Sequence, residues 1–241
     1  MIVVNAHWEK RNLGVSCIEI LLEAKDPLEK ALLAFTNSST EYQIIKFPTT
    51  RPELIFLVQE NGFKFTEIQI VCERTAQTPI LDKMPTRFVN SIHCEISNGD
   101  QKKDIEKNID SGMFKTDRVS IDPHFTKFQS ANRYRGWLAD ELHQGASLYS
   151  LIHNTSSIGF FILRNHGNGD YRSPLGGIFY EFQSKGYGLC LNYHEIKQAT
   201  SLGAKTITVA YSSNNPAVGT INRMLGYREK PSSYVFVRHK L

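Results

Sequence analysis

The run Phe182-Gln183-Ser184-Lys185-Gly186-Tyr187-Gly188 lies between a segment that reads as a strand end and one that reads as a helix start. Small residues at such a junction let consecutive main-chain N–H groups converge on one concavity, at the positive end of the helix macrodipole. Its chemistry is that of an anion cradle. No Gly-Lys-Ser/Thr is present, which argues against a P-loop, and the missing third glycine argues against a dinucleotide-binding fingerprint. The histidines form no His-Glu-x-x-His and the cysteines no Cys-x-x-Cys, so no metal is expected. The lack of a Gly-x-Ser-x-Gly elbow speaks against a hydrolase.

Such a cradle needs a folded scaffold, and the composition supplies one. The chain has 241 residues, 41% of them apolar and 22% charged, which excludes disorder and allows a sizeable core. No apolar run approaches the roughly 18 residues that would span a bilayer. The net charge of +4 is scattered, without the basic block or Arg/aromatic pattern of an RNA reader. Nucleic acid is therefore not the expected partner, whereas a shallow positive field suits a nucleotide or coenzyme. Cys17, Cys72, Cys94 and Cys190 lie far apart, and the first residues lack the pattern of a secretory signal, so the expected setting is a reducing cytoplasm.

The polar stretch 97–112 reads as a linker between a small α/β domain, 1–96, and a larger one, 113–241. In the first, strands are expected at 41–47 and 63–72, with a helix opened by Pro52 and stopped at Gly62 between them. In the second, Phe128, Ala131, Leu138 and Leu142 predict a long helix over 125–143, followed by strands at 147–154, 158–164 and 176–182. A helix over 189–202, a strand at 206–211, a helix with Asn215 as N-cap and Pro216 at its first position, and a strand at 234–238 complete the order.

The spacing Gln183-x-x-Gly186-x-Gly188 resembles the acetyl-coenzyme A pyrophosphate loop of the GNAT superfamily of N-acetyltransferases. The element order of 113–241 and Asn215…Leu225-Gly226-Tyr227 are similar to that superfamily too. The resemblance implies an α/β fold with a mixed twisted sheet flanked by helices, here preceded by the smaller α/β domain. It also implies acetyl-coenzyme A as cosubstrate, with the backbone of Ile178 and Tyr180 on the pantetheine arm. Gln183 and the amides of Lys185, Gly186 and Gly188 would serve the pyrophosphate, and Asn215 would approach the coenzyme.

A narrower likeness attaches to Asp117-Arg118-Val119-Ser120-Ile121-Asp122-Pro123-His124-Phe125, followed by Ala131, Tyr134 and Trp137, and more loosely to Trp8, Leu13-Gly14 and the 46–63 run. It resembles nucleotide-sugar amine acetyltransferases, typified by TDP-fucosamine acetyltransferase. Arg118 and Arg133 would then bind phosphate, with Tyr134 and Trp137 offering flat faces to a base or sugar. The expected reaction is direct attack of a primary amine on the thioester in a ternary complex. The tyrosine that in this superfamily protonates the thiolate has Asn222 in its place. Asn222 is thus a catalytic candidate, Tyr227 or Tyr234 could substitute, and Glu181 is the nearest carboxylate base, with His124 and His153 outside it. Another amine acceptor (peptide, amino acid or polyamine) and a non-catalytic coenzyme-binding module stay open. Homodimers are common in the superfamily, so a homodimer is the base-rate expectation.

Overall fold

The computed structural model describes residues 1–240, the side chain of Met84 excepted. The N-terminal part runs β1 (Ile2–Asn5), α1 (His7–Leu13), β2 (Cys17–Leu21), α2 (Leu28–Asn37), β3 (Tyr42–Pro48), α3 (Leu54–Glu60), β4 (Lys64–Thr75), α4 (Lys83–Asn90) and β5 (Ile92–Ile96). There follow α5 (Gly99–Asp110), α6 (Arg118–Ile121), α7 (Lys127–His143), β6 (Ser147–His153), β7 (Ser156–Asn165), β8 (Asp170–Ser173) and β9 (Gly176–Ile178). After a 3-10 turn at Tyr180–Phe182 the chain ends with α8 (Tyr187–Ser201), β10 (Thr206–Ser212), α9 (Pro216–Met224), β11 (Arg228–Glu229) and β12 (Ser233–His239).

The stretch expected to be a linker is instead helix α5. Asn98 and Gln101 form a reciprocal capping box at its start, and Ile105 and Ile109, the two aliphatics of that polar run, are buried. Two inward residues in twelve are enough to seat a helix against α7, and a composition average hides them.

Nor do the expected domain boundaries divide the sheet. Its strand order is β1-β2-β3-β12-β4-β10-β8-β7-β6-β5, so β12, the last strand of the chain, lies between β3 and β4. Apolar residues alternate accordingly: Ile45, Phe47 and Phe236 face α2 and α3, while Ile44, Val235 and Val237 face the other way. Helices α4 and α8 cover the same face as α2 and α3, through Val89, Cys190, Ile196 and Ala199. Helices α5 and α7 cover the opposite one, through Ile105, Ile109, Tyr134 and Leu138.

The order is symmetric about the β12–β4 contact. β2 and β3 are parallel and joined by α2, just as β8 and β10 are parallel and lie on either side of α8 in sequence; β3-α3-β4 repeats as β10-α9-β12. Each half lends its final strand to the other, so the halves share one sheet. One difference separates them. In the N-terminal half Leu22 N–H donates to Lys46 O (2.8 Å), keeping the strands joined past the end of β2. In the C-terminal half the equivalent strands part.

Candidate active site

The parting has a local cause. β8 pairs with β10 from Asp170↔Thr206 to Ser173↔Val209, and then comes Pro174, which has no N–H to continue a ladder. Against β7 the register slips by one residue over the same span, from Arg164↔Arg172 to Phe161↔Gly176, as in a β-bulge. The expected single strand over 176–182 is thus β9, three residues long, and a separate turn.

β9 stays on β7 while β10 follows β4, which leaves a wedge between Gly176–Ile178 and 210–212. Ile162 N–H donates to Leu175 O and Phe179 N–H to Ile158 O, both 2.9 Å. In an antiparallel ladder bonded pairs alternate, so residues 175, 177 and 179 turn their main-chain groups to β7 while Gly176 and Ile178 turn theirs into the wedge. The expectation for Ile178 therefore fits the wedge geometry through its N–H, its carbonyl accepting from Gln183 Nε2. That for the backbone of Tyr180 does not, because its carbonyl accepts from Gln183 N–H within the 3-10 turn.

At the mouth of the wedge, Ser184 and Gly186 adopt left-handed backbone (φ 62° and 85°) on either side of Lys185, and Gly186 caps the fifteen-residue α8. No side chain caps this helix, so the first amides of α8 face outward as donors without an internal acceptor. A Cβ on Gly188 would come within 2.9 Å of Ile221 Cδ1, so glycine also lets α8 approach α9. The Lys185, Gly186 and Gly188 expectations are thus brought together in one cradle. Gln183 is not part of it. Its Nε2 donates to Ile178 O (3.0 Å) and Met113 O (3.2 Å), tying the strap of residues 113–117 to the end of β9.

That strap crosses the wedge to the end of β10, where Ser212 Oγ and Asn214 Nδ2 donate to Thr116 O. Beneath it lies a cavity of about 390 Å³ reaching both faces of the sheet. On the α8/α9 side Asn192, Glu195, Asn215 and Asn222 line it; on the other side Trp8, Glu67, Arg118, Arg133, Tyr134 and Trp137 do. Asn215 precedes α9 as expected but makes no side-chain cap, leaving its amide at the cavity wall. Asn222 is 1% exposed; its Oδ1 accepts from Asn192 Nδ2 (2.8 Å), and its own Nδ2 has no nitrogen or oxygen acceptor and lies toward the Cys72 thiol.

Glu195 was not legible as a functional residue. It reads as one polar position of an amphipathic helix, yet it is 4% exposed beneath the wedge, beside Ser173. Burial pushes its carboxyl up to about 7, partly offset by hydrogen bonds from Ser173 and Tyr227. Tyr227 Oη donates to Glu195 Oε1 (3.3 Å) from outside the cavity wall, so Tyr227 supports Glu195 rather than reaching the wedge.

The remaining candidates lie elsewhere. Glu181 is exposed and lines a separate outer groove of about 1090 Å³, divided from the inner cavity by the Phe114–Tyr134 stack (4.2 Å). Tyr234 packs on Phe47 and Phe65, and His153 Nδ1 bonds Tyr187 Oη (3.0 Å). His124 and His239 stack 4.0 Å apart, each on its own oxygen of Asp122 (2.9 and 2.7 Å). Near-parallel rings direct their in-plane lone pairs side by side, which suits a carboxylate clamp and not convergence on one metal ion.

Arg118 and Arg133 do line the cavity, but their charges are matched. Arg118 contacts Glu9 (3.1 Å) and Glu19 (3.8 Å), both through Nη2, and its buried Nε has no partner; Arg133 contacts Glu9 (3.0 Å) and Asp117 (3.1 Å). Burial disfavours charge on Glu19, but Lys46 (2.8 Å) and Arg118 outweigh it and hold that carboxyl below its usual range. Tyr134 is buried and stacked, and Trp137 Nε1 donates to Glu141 (3.2 Å), so the aromatic pair forms wall.

A bulged strand, a wedge at its end and an uncapped helix below it can be compared with known proteins. No family model and no curated protein matches the sequence. Solved structures do match. A functionally unknown conserved protein from Staphylococcus epidermidis aligns over 94% of this chain and 85% of its own, at 11% identity and a TM-score of 0.65. A GCN5-related N-acetyltransferase from Sphaerobacter thermophilus aligns over 98% and 75%, at 10% identity and 0.61, and one from Kribbella flavida over 92% and 81%, at 13% and 0.56. The chain has the GNAT fold. In GNAT terms the wedge is the cleft where the strands part, and both halves of this chain help build the GNAT sheet that frames it.

Proposed function

We propose that this protein is an N-acetyltransferase that moves acetyl from acetyl-coenzyme A to a primary amine by direct attack in a ternary complex. The observation that carries the reading is the alignment of the uncapped α8 amides with the wedge between β9 and β10. The amides suit a diphosphate, and the main-chain groups of Gly176 with the N–H of Ile178 suit the amide-bearing arm that follows it, the Ile178 carbonyl being held by Gln183 Nε2. The thioester would lie at the apex, open to an amine from the α1/α7 side.

In this reading the amine nitrogen bonds to the thioester carbon, the carbon–sulfur bond breaks, and one proton passes from nitrogen to sulfur. The Ile178 N–H is placed to stabilise the oxyanion. Glu195, its carboxyl pushed up to about 7, and the side-chain amide of Asn222 are the groups below the apex suited to the departing thiolate.

The amino-sugar nucleotide suggested by Arg118 and Arg133 is the weaker acceptor. A diphosphate would have to bring further negative charge into a buried network where Glu9, Glu19 and Asp117 already contact those guanidinium groups. A compact amine without a diphosphate fits the cavity better. Thiol release from acetyl-coenzyme A, with a panel of small amines, peptides and amino-sugar nucleotides, tests both statements. Amine-dependent release greatest for small amines is expected. Coenzyme binding without release for any acceptor would favour a non-catalytic module, and release confined to amino-sugar nucleotides would reinstate them.

A further inference from the structure

We propose that Glu67 is the recognition site for the acceptor's ammonium group, and that the acceptor is a compact primary amine with an apolar body. This rests on the acetyltransferase reading for its context but on separate observations for its content.

Glu67 lies on β4, in the N-terminal half, opposite Val235 of β12 and therefore on the α1/α7 face of the sheet. It is 6% exposed, and the little that is exposed lines the cavity under the strap. Among the described residues its carboxylate makes neither an ion pair nor a hydrogen bond. Every other carboxylate around it is engaged: Glu19 with Lys46, Glu9 with Arg118 and Arg133, Asp117 with Arg133.

The charges here do not cancel. Glu9, Glu19, Glu67 and Asp117 face only Lys46, Arg118 and Arg133, so the cluster retains one negative charge, and the carboxylate without a contact is Glu67. Arg118 feels its field without touching it. The Glu67 carboxylate opens on the cavity, and a group that pairs with it there must carry donors and positive charge. An alkylammonium carries three donors and one charge.

The rest of the cavity says what the ammonium is attached to. Trp8, Phe114, Tyr134 and Trp137 line it, giving an apolar body an aromatic wall. At about 390 Å³ the space holds a small amine and not a polypeptide. Gln69, one step along the same face of β4 and opposite Ser212 of β10, leads from Glu67 toward the wedge. The ammonium is thus received on one half of the molecule and, once it has released one proton to water, the neutral amine is presented to the cleft of the other.

The test is equilibrium binding of phenethylamine, butylamine and 1,4-diaminobutane, each against the alcohol of the same carbon skeleton, to the protein with and without coenzyme A. At least one amine should bind more than tenfold tighter than its alcohol. Glu67→Gln should remove that preference, Glu67→Asp should keep most of it, and Glu181→Gln in the outer groove should leave it intact. Equal binding of amines and alcohols by the unaltered protein would overturn the proposal, as would a preference that survives Glu67→Gln. Coenzyme binding is read separately: its failure would defeat the acetyltransferase reading, while the amine-to-alcohol ratio would still decide Glu67.

Discussion

At the scale of single residues, the proposed chemistry rests on polar groups buried under the wedge. Glu195 makes a pH-dependent contribution whose sign is fixed. Its folded-state value of about 7 lies above the ordinary value of 4.5, so between these the native state holds a proton that the unfolded chain has released. Stability from this residue therefore falls as pH rises through that window, by up to roughly 3 kcal/mol. Glu195→Gln should be more stable than the parent at pH 8, and the two should converge below pH 5 in urea melts. A constant difference across pH would remove the claim. For Asn222→Ala, turnover should fall by about tenfold or more while coenzyme affinity stays within a factor of two, measured by thiol release and calorimetry; unchanged turnover would exclude Asn222 from the chemistry. The position of Asn222 could be found from sequence because it occupies a recognisable place before Leu225-Gly226-Tyr227. Glu195 and Glu67 could not, since a lone glutamate in a helix or strand is usually solvated and only the tertiary fold buries it.

Among the elements, α8 and its preceding loop were legible because Gly186 and Gly188 punctuate the chain where backbone geometry demands it. Gly186→Ala puts a side chain at φ 85°, which should cost about 1 kcal/mol in thermal or urea unfolding and weaken coenzyme binding severalfold. An equally tight Gly186→Ala variant would mean that the loop is not the cradle. By contrast, α5 was hidden. Its stretch is polar and carries only two aliphatics, and the cue that survives in the sequence is Asn98 with Gln101 three residues on. Asn98→Ala should lower stability by about 1 kcal/mol, as the loss of an N-cap does, whereas a linker residue would give no change. The strand expected over 176–182 was likewise too long, because Pro174 and the bulge before it divide what an apolar run presents as continuous.

Over the whole molecule, two halves are woven through β4 and β12 into one sheet, and this was beyond periodicity and composition. Strand exchange is a long-range choice: β12 pairs with residues 164 to 197 positions earlier, as in Val235 with Lys46 and Glu67, and nothing local to 233–239 announces its neighbours. The consequence is that neither 1–96 nor 113–241 should fold alone. Each expressed separately is expected to lack cooperative unfolding by circular dichroism, with co-expression restoring it; a cooperative transition in either fragment would contradict the shared sheet. The same weave explains why only one half carries a cleft. The N-terminal pair stays joined by Leu22 and Lys46, and its loop before α2 is closed by Asp26, whose carboxylate accepts from Glu23 N–H (2.7 Å).

The central claim is that the free amides at the start of α8 hold a diphosphate and thereby place a thioester in the wedge. A crystal structure with bound coenzyme A tests it most directly. The account predicts pyrophosphate density within hydrogen-bonding distance of the amides of residues 185–188 and the pantetheine arm between Gly176–Ile178 and residues 210–212. Coenzyme bound in the outer groove beside Glu181, or against the N-terminal half, would contradict it.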